Sequence, residues 1–462
     1  MLVILDFQAC QSGSRFRGIG RASRSLLLSM GRNLLFRGHD VICLLNFAFQ
    51  DGFDDLKADI SSHIPNARIV TFRTPIPCAP VFPENAWRQM ASLVLREQII
   101  ASFEPDFVHI PALLSDGWGD DSVASLGLLG VNIPVSLTHH DLIPLVMSEN
   151  YMQSSNFRDY YINKLNYVKN ASLLMAISDY SRREVIEWIG INPENVISIS
   201  SAVDRDFWRP IDEPHISFVT LKKFGLRPGF FLYAPGGFDY RKNLDRLFEA
   251  YSLLPISVRE AHQLVIASLL DSATRKILEN SISSYGLMPH EVTFTDYISD
   301  YELHNIYCSC FAYVFPSLHE GFGLPALEAM SCGVAVIASN CTSIPEVMGI
   351  AEALFDPYDA NSIASKMMQL HTDENFRKQL QEHSIKRSDY FSWTRTGDIA
   401  VSALEKYHQK LLDAGWQRTL KSDIVNCNSL LKLIQKLVPE ISPSIDDLKL
   451  FYSCYELNNK QL

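Results

Sequence analysis

Short apolar runs alternate with amphipathic stretches along almost the whole chain, and few folds accept that pattern. In the first half the runs are VILDF, VICLL, ARIVTF, DFVHIP, PVSLTH, SLLMAIS and NVISIS; in the second they are FFLYAP, HQLVIAS, VTFTD, AYVFPS, VAVIAS and ALFDP. A strand that is apolar on both faces must be covered on both, and helices in the intervening segments supply the cover. The expectation is an α/β protein with parallel, doubly wound sheets. A chain of 462 residues has room for two such domains, each binding ligands beyond its strand C-termini. The least regular stretch between the halves is AVDRDFWRPIDEPHISF, residues 202–218, with Pro210 and Pro214. A linker there separates a domain over 1–208 from one over 209–388. Beyond about residue 386 the strand pattern stops. SWTRTGDIAVSALEKYHQKLLDAG predicts an amphipathic helix within 389–416, capped by Ser392 or Thr394 and ending at Gly415. A polar tail, 417–462, carries one further helical run, NSLLKLIQKLV, and then SPSIDDLKLFYSCYEL.

The composition, 47% hydrophobic and 20% charged, is that of an ordinary soluble globular protein. A net charge of −11 argues against a general nucleic-acid binder. The start, MLVILDFQAC, lacks a basic lead-in and a small-residue cleavage site, so no signal peptide is expected. No apolar run approaches the roughly 18 residues of a spanning helix. Nine scattered cysteines, an odd number often inside apolar runs, indicate reduced thiols in a cytosolic compartment. Cys308 and Cys310 form a C-x-C pair with neither a second pair nor a neighbouring histidine set, so no zinc is expected there.

The densest chemistry lies in residues 315–340, FPSLHEGFGLPALEAMSCGVAVIASN: strand, Gly-rich loop, helix, strand. Gly321 and Gly323 let the backbone turn tightly and approach a ligand, and Leu324 with Pro325 opens a helix whose first amides attract anions. Glu320 falls in the loop and Glu328 about a turn inside the helix, so the two are placed to grip different ends of one polar ligand rather than each other. A helix-favouring Glu328 and a solvated Glu320 are the plain alternative. In the segment FLYAPGGFDYRKNLDRLFEAY, Gly236 and Gly237 follow a strand and Arg241 and Lys242 precede a helix. Two cations at a strand mouth can neutralise a leaving pyrophosphate; otherwise Lys242 is a surface lysine and Arg241 a partner for Asp239 or Asp245.

Three further clusters are weaker. In QACQSGSRFRGIGRASRSLLLSM, Gly18 and Gly20 are expected in a loop before a helix, with Arg15, Arg17, Arg21 and Arg24 around them, a candidate anion site or an ordinary tight turn with solvated arginines. The six arginines of 15–37 would also suit anionic lipid. His139, His140 and Asp141 follow a strand in SLTHHDLIPL and are placed to orient a hydroxyl or stabilise charge, although a lone His-Asp pair is more often structural. Asp204-x-Asp206 sits in the linker instead of at a strand end and is rejected as a metal site. Neither a G-x-S-x-G elbow nor a G-x-x-x-x-G-K-[ST] loop occurs, which removes the common hydrolase and P-loop readings.

Together these residues resemble glycosyltransferase family 4, the retaining nucleotide-sugar-dependent enzymes of the GT-B fold within the group-1 glycosyltransferases, over about residues 1–412. The most specific part is HEGFGLPALEAMSCGVAVIAS, where Glu320 and Glu328 match the family's Glu-x7-Glu motif. RGIGR, HHDLIPL, AISDYSRREV, ISSAVD, GGFDYRKNL and SIPEVMG are similar too. The resemblance implies two Rossmann-like domains facing each other across a cleft, the first binding acceptor and the second binding donor, with the 389–416 helix crossing back to the first. It implies that Glu328 binds the ribose and Glu320 the donor sugar. The amides of Gly321, Phe322 and Gly323, leading into Leu324, would hold sugar and phosphates. Arg241 and Lys242, beside Gly237, would stabilise the departing diphosphate, with Gly18 and Gly20 closing over it, and His140, in preference to His139, would lie near the transferred sugar. It further implies front-face attack, in which the leaving phosphate takes the acceptor's proton, without a metal. One departure is VTFTDYISD, where Thr295 and Asp296 replace a Gly-containing turn and leave base recognition open.

The expected activity is thus transfer of a hexose from a nucleotide sugar to a glycan acceptor, lipid-linked or lipopolysaccharide, with no cofactor. The protein is expected in the cytoplasm, with peripheral contact at the inner membrane face. GDP-mannose is the favoured donor, because SRFRGIGR and HDLIPL look like mannosyltransferases of surface-polysaccharide synthesis; UDP-glucose and other donors stay open. Two rival classes share parts of the pattern. A dinucleotide oxidoreductase would use such sheets, but QACQSGSRFRGIG does not place G-x-G-x-x-G in the required turn. A non-catalytic glycan-binding protein on a transferase fold is the other; the presence of every expected site residue weighs against it.

Overall fold

The computed structural model describes residues 1–211, 214–418 and 426–461. The chain divides into two compact units, Met1–Ile177, Ser181–Ile199 and Trp393–Leu462 in the first, Ser178–Tyr180 and Ser200–Ser392 in the second. All thirteen apolar runs of the sequence are strands. In the first unit they are β1 (Leu2–Asp6), β2 (Asp40–Asn46), β3 (Arg68–Phe72), β4 (Phe107–Ile110), β5 (Val135–His139), β6 (Leu173–Ala176) and β7 (Val196–Ser198). In the second they are β8 (Phe231–Tyr233), β9 (Leu264–Ile266), β10 (Val292–Phe294), β11 (Ala312–Phe315), β12 (Val336–Ser339) and β13 (Leu354–Phe355).

Every pairing is parallel, with orders β3-β2-β1-β4-β5-β6-β7 and β10-β9-β8-β11-β12-β13. Both sheets therefore reverse direction of winding next to their first strand, between β1 and β4 and between β8 and β11. Helices leave on opposite faces at such a point and open a crevice at the strand C-termini. Strands β4, β6, β8, β11 and β12 are buried at every position, which is why β6, β8 and β11 read as unbroken apolar runs and the others as nearly so.

The division between units falls at Ile199, ahead of the expected boundary at 208. Residues 200–208 pack on the second unit: Trp208 lies edge-on to Tyr307 at 5.6 Å, and Ser331 Oγ donates to its carbonyl at 2.5 Å. The remainder of the expected linker includes a helix, Pro214–Lys223, while 212 and 213 lie outside the described residues.

The helix Trp393–Asp413 starts directly after Ser392 and belongs to the first unit. Ala400, Val401 and Leu404 join the core built by Leu26, Leu27 and Met30 of the helix Gly18–Phe36. Gly397 allows the close approach, since a Cβ there would sit 2.3 Å from Ser29 Oγ. Arg37 pairs with Asp398 and Glu405, and His39 Nε2 lies 2.8 Å from Glu405. Among its described residues the tail forms two helices, Cys427–Leu437 and Ile445–Asn459. Leu430, Ile434 and Phe451, all fully buried, pack on Trp87, Ala91 and Leu95 of the helix Ala86–Ala101. Three such side chains contribute roughly 5–9 kcal/mol of gross apolar burial, so this part of the tail is integral to the first unit. Residues 419–425 and 462 of the tail lie outside the described residues.

Candidate active site

In the second unit the crevice between β8 and β11 is where the sequence motifs converge. The chain leaves β8 through Gly236 (φ 68°) and Gly237 (φ 154°), then enters a single 3-10 turn, Tyr240–Lys242. Asn243 follows at φ 57° and starts the helix Leu244–Ser252. Asparagine tolerates this backbone, and its side chain ties the turn down by donating to the carbonyls of Pro316 (3.0 Å) and Pro357 (2.8 Å). From the other strand, Leu318 N–H donates to the Arg241 carbonyl at 2.8 Å. Tyr233 hydroxyl donates to the Lys242 carbonyl and shares a contact with Ser317, each at 3.1 Å. The two loops are thus one hydrogen-bonded body.

This body brings together side chains 78 residues apart. Lys242 Nζ lies 2.7 Å from Glu320 Oε1, and Arg241 Nη1 lies 2.8 Å from Glu320 Oε2 and 3.1 Å from the His319 carbonyl. Asp239 completes the group, 3.4 Å from Arg241 Nε. Burial alone would push the Glu320 carboxyl up, but the combined pull of Lys242 and Arg241 outweighs it and holds the group at about 2. Lys242 is 5% exposed, so it is no surface lysine, and Arg241 pairs with Asp239 and Glu320, whereas Asp245 accepts from Tyr285. Two guanidinium and ammonium charges held by two carboxylates form a neutral, preorganised cluster that an incoming anion can enter by sharing the cations.

The following loop is supported from beneath. Glu320 N–H donates to Thr342 Oγ1 (3.1 Å), and Ser343 Oγ contacts the carbonyls of Glu320 and Phe322 at 2.8 and 2.9 Å. Thr342 has φ 55°, a backbone that β-branched residues rarely adopt, so the segment after β12 is strained where it holds Glu320. Phe322 turns its ring inward, edge-on to Phe391 at 5.5 Å, leaving its backbone to serve the loop. Gly323 (φ 110°) is the N-cap of the helix Leu324–Ser331 and has no side chain to cap it; Pro325 carries no amide hydrogen, and Ala326 N–H donates to the Gly323 carbonyl at 3.1 Å. Glu328 lies within this helix, 5% exposed, and accepts from Tyr307 hydroxyl at 3.3 Å. Glu320 and Glu328 therefore have separate partners, in keeping with separate ends of a ligand.

In the first unit the outcome is mixed. Gly18 and Gly20 do not lie in a loop: they are the first and third residues of the helix Gly18–Phe36. The reason is packing, because a Cβ on Gly20 would sit 2.2 Å from the Ser14 carbonyl oxygen, against the 3-10 turn Gly13–Phe16 that precedes the helix. Of the arginines, Arg15 pairs with Asp51, Arg24 with Asp59 (2.8 Å) and Arg37 with Asp398 and Glu405, so these three are engaged with protein carboxylates. His139 ends β5 and is buried, and burial lowers its imidazole to about 3. His140 leaves the strand, and its Nε2 donates to the Pro111 carbonyl at 2.8 Å. A carbonyl only accepts, so Nδ1 carries the lone pair, and burial keeps the ring neutral.

Other features resolve locally. Asp204 Oδ1 accepts from the backbone of Asp206 at 3.1 Å, an Asx turn. Asp296 has φ 59° and pairs with Arg275, so it occupies by side-chain tethering the left-handed position a glycine would take freely. Tyr307, Ser317, Thr342 and Ser343 hold the two acidic residues in place without having been singled out from the sequence. Ser317 lies in the 315–340 segment and Ser343 at the head of SIPEVMG, whereas Tyr307 and Thr342 lie in no quoted segment.

A model of the glycosyl transferases group 1 matches residues 223–387, and a model of glycosyltransferase family 4 matches residues 24–207. The serotype-specific mannosyltransferase WbdA of Escherichia coli is 34% identical over 95% of this chain and 51% of its own length. The O-antigen chain mannosyltransferase B of Escherichia coli is 32% identical over 51% of this chain and 60% of its own. The chain thus spans about half the length of the WbdA relatives it matches. Among solved structures, Anabaena HepE in complex with UDP and glucose superposes with a TM-score of 0.62 at 17% identity, covering 88% of this chain and 100% of that one. That likeness shows a shared fold, two Rossmann-like units of the GT-B kind. On that fold, residues 223–387 carry a glycosyl transferases group 1 domain, which holds the Glu-x7-Glu helix and the Arg-Lys turn, and residues 24–207 carry a glycosyltransferase family 4 domain.

Proposed function

We propose that this protein is a retaining hexosyltransferase that moves mannose from GDP-mannose to a glycan acceptor in the synthesis of lipopolysaccharide O-antigen or exopolysaccharide. The observation that carries the reading is the buried Arg241–Lys242–Glu320 cluster at the β8/β11 switch point. In support, relatives at 32–34% identity are named O-antigen or serotype-specific mannosyltransferases.

In the proposed reaction the bond between the sugar's anomeric carbon and the diphosphate oxygen breaks while the acceptor oxygen bonds to the same face. The acceptor's proton passes to the leaving phosphate, so GDP and the elongated glycan result. Arg241 and Lys242 receive the charge that grows on the diphosphate, a stabilisation worth more in the transition state than in the ground state. Glu320, released in part from those cations, accepts from sugar hydroxyls; Glu328 accepts from the ribose. His140, neutral with Nδ1 bare, accepts a hydrogen bond from the transferred sugar. The cationic pair does the work that a divalent ion does elsewhere, so the chemistry needs no metal. The proposed acceptor is a glycan or lipid-linked glycan, met with peripheral contact at the cytoplasmic face of the membrane. No helix among the described residues is long and apolar enough to cross a membrane.

The test is a thermal-shift series with GDP-, UDP-, ADP- and dTDP-sugars, followed by transfer from the best binder to a mannan-type oligosaccharide in excess EDTA. A rise in Tm with GDP-mannose, and EDTA-insensitive transfer with retained anomeric configuration, are expected. Binding of another sugar nucleotide alone replaces the donor assignment, and abolition by EDTA overturns the metal-free step.

A further inference from the structure

Cys308, the first cysteine of the C-x-C pair, belongs to a cluster that only the fold completes. His304 and Cys308 are four residues apart on the helix Asp300–Ser309 and so share one face. Cys332, buried, is the C-cap of the helix Leu324–Ser331 and reaches the same place from a second element. One ring nitrogen of His304 and the sulfurs of Cys308 and Cys332 all lie within 4.8 Å of one another. The carbonyl oxygen of Arg209 borders the group, 2.5 Å from His304 Nε2 and 3.6 Å from Cys308 Sγ. Rings hold the imidazole on two sides: Phe207 at 5.4 Å, and Trp208 edge-on at 5.9 Å. Cys310 is not part of the group.

We propose that His304, Cys308 and Cys332 bind one borderline-soft divalent cation of the zinc type, with the Arg209 carbonyl at the fourth corner, as a structural clamp in the second unit. The donor set is the imidazole and thiolate chemistry that zinc selects. Zinc with sulfur at about 2.3 Å and nitrogen at about 2.0 Å needs ligand separations of roughly 3.5–3.8 Å. The present spacing reaches that by side-chain rotation on fixed helices. Binding exchanges ligands without redox: each thiol loses its proton to solvent, and the cation replaces the hydrogen bonds now made within the group.

The clamp joins three pieces of chain, the helix carrying His304, the end of the helix carrying Glu328, and the Trp208–Arg209 strap. The same two helices meet at Tyr307 and Glu328, whose hydrogen bond is 3.3 Å. An occupied site therefore holds the helix bearing Glu328 by its far end, outside the crevice between β8 and β11. It is a site distinct from the chemistry of Arg241, Lys242 and Glu320, and it does not depend on the activity proposed above.

The experiment is titration of the full chain, reduced and stripped with chelator, with Co2+ as the spectroscopic probe. One Co2+ per chain is expected, with thiolate-to-cobalt charge transfer in the near ultraviolet and tetrahedral ligand-field bands in the visible. Zn2+ should displace the cobalt and raise Tm. Both signals should be lost in Cys308→Ser and in Cys332→Ser and kept in Cys310→Ser. Because Cys332 is buried, His304→Ala and the half-exposed Cys308→Ser decide the matter if Cys332→Ser does not fold, with circular dichroism as the check. Absence of thiolate bands, bands that survive Cys308→Ser and His304→Ala in folded protein, or a Cys308–Cys332 disulfide with no cobalt bound after its reduction would each overturn the proposal.

Discussion

Replacing Glu320 with glutamine removes one charge and almost no volume, and the structure sets how much that should cost. The side chain is 12% exposed and both carboxylate oxygens are paired, with Lys242 at 2.7 Å and Arg241 at 2.8 Å. Holding the carboxyl at about 2 instead of its ordinary 4.5 corresponds to about 3 kcal/mol of stabilisation. This agrees with the roughly 3–5 kcal/mol lost when one member of a buried ion pair is removed. Because the folded-state value is depressed, the contribution is complete above the unfolded value near 4.5 and is lost as pH falls from there towards 2. Glu320→Gln should thus destabilise the second unit by about 3 kcal/mol at pH 7, and the gap from wild type should narrow by about 1 kcal/mol at pH 4. Urea titrations at pH 7, 5 and 4, with the transitions of the two units fitted separately, measure both quantities. A variant within 0.5 kcal/mol of wild type at pH 7 (a threshold of about the size expected for a surface substitution), or a gap that does not change with pH, refutes the reasoning.

Removing the buried carboxylate in Glu328→Ala should weaken nucleotide-sugar binding about 10–100-fold, the worth of a charge-assisted hydrogen bond, measured by calorimetry; unchanged affinity removes the ribose role. Tyr307→Phe deletes the hydroxyl that donates to Glu328 and should cost about 1 kcal/mol in stability, with a smaller loss of donor affinity than Glu328→Ala. Gly20→Ala forces a methyl within 2.2 Å of a backbone oxygen and should destabilise the first unit by about 1–3 kcal/mol; a stability equal to wild type would mean that the 3-10 turn Gly13–Phe16 yields freely.

The central strands were legible because β6, β8 and β11 are buried at every position, so their runs are apolar and flanked by helical periods; β3, β7 and β10 keep half-exposed positions and polar residues. The Gly-rich loop and helix of 320–331 were legible for a similar reason: glycine, proline and two acids at fixed spacing leave few local structures. The start of the helix at Gly18 was misplaced because two glycines in its first turn hide the helical pattern, and the contact that demands Gly20, the Ser14 carbonyl, is invisible to spacing. The partners of Glu320 were hidden for a topological reason. Arg241 and Lys242 meet it only because β8 and β11 are neighbours, and no local rule links residues 78 apart. The same holds for Cys332, whose approach to Cys308 depends on two helices ending side by side.

The most direct test of the proposed chemistry is the single-turnover rate of transfer from GDP-mannose, in EDTA, for wild type and for Arg241→Ala, with donor affinity measured in parallel. If Arg241 takes up charge on the departing diphosphate, the rate falls about 10²–10³-fold while donor affinity changes by no more than about tenfold. A rate equal to that of wild type, in a folded variant that still binds donor, contradicts it.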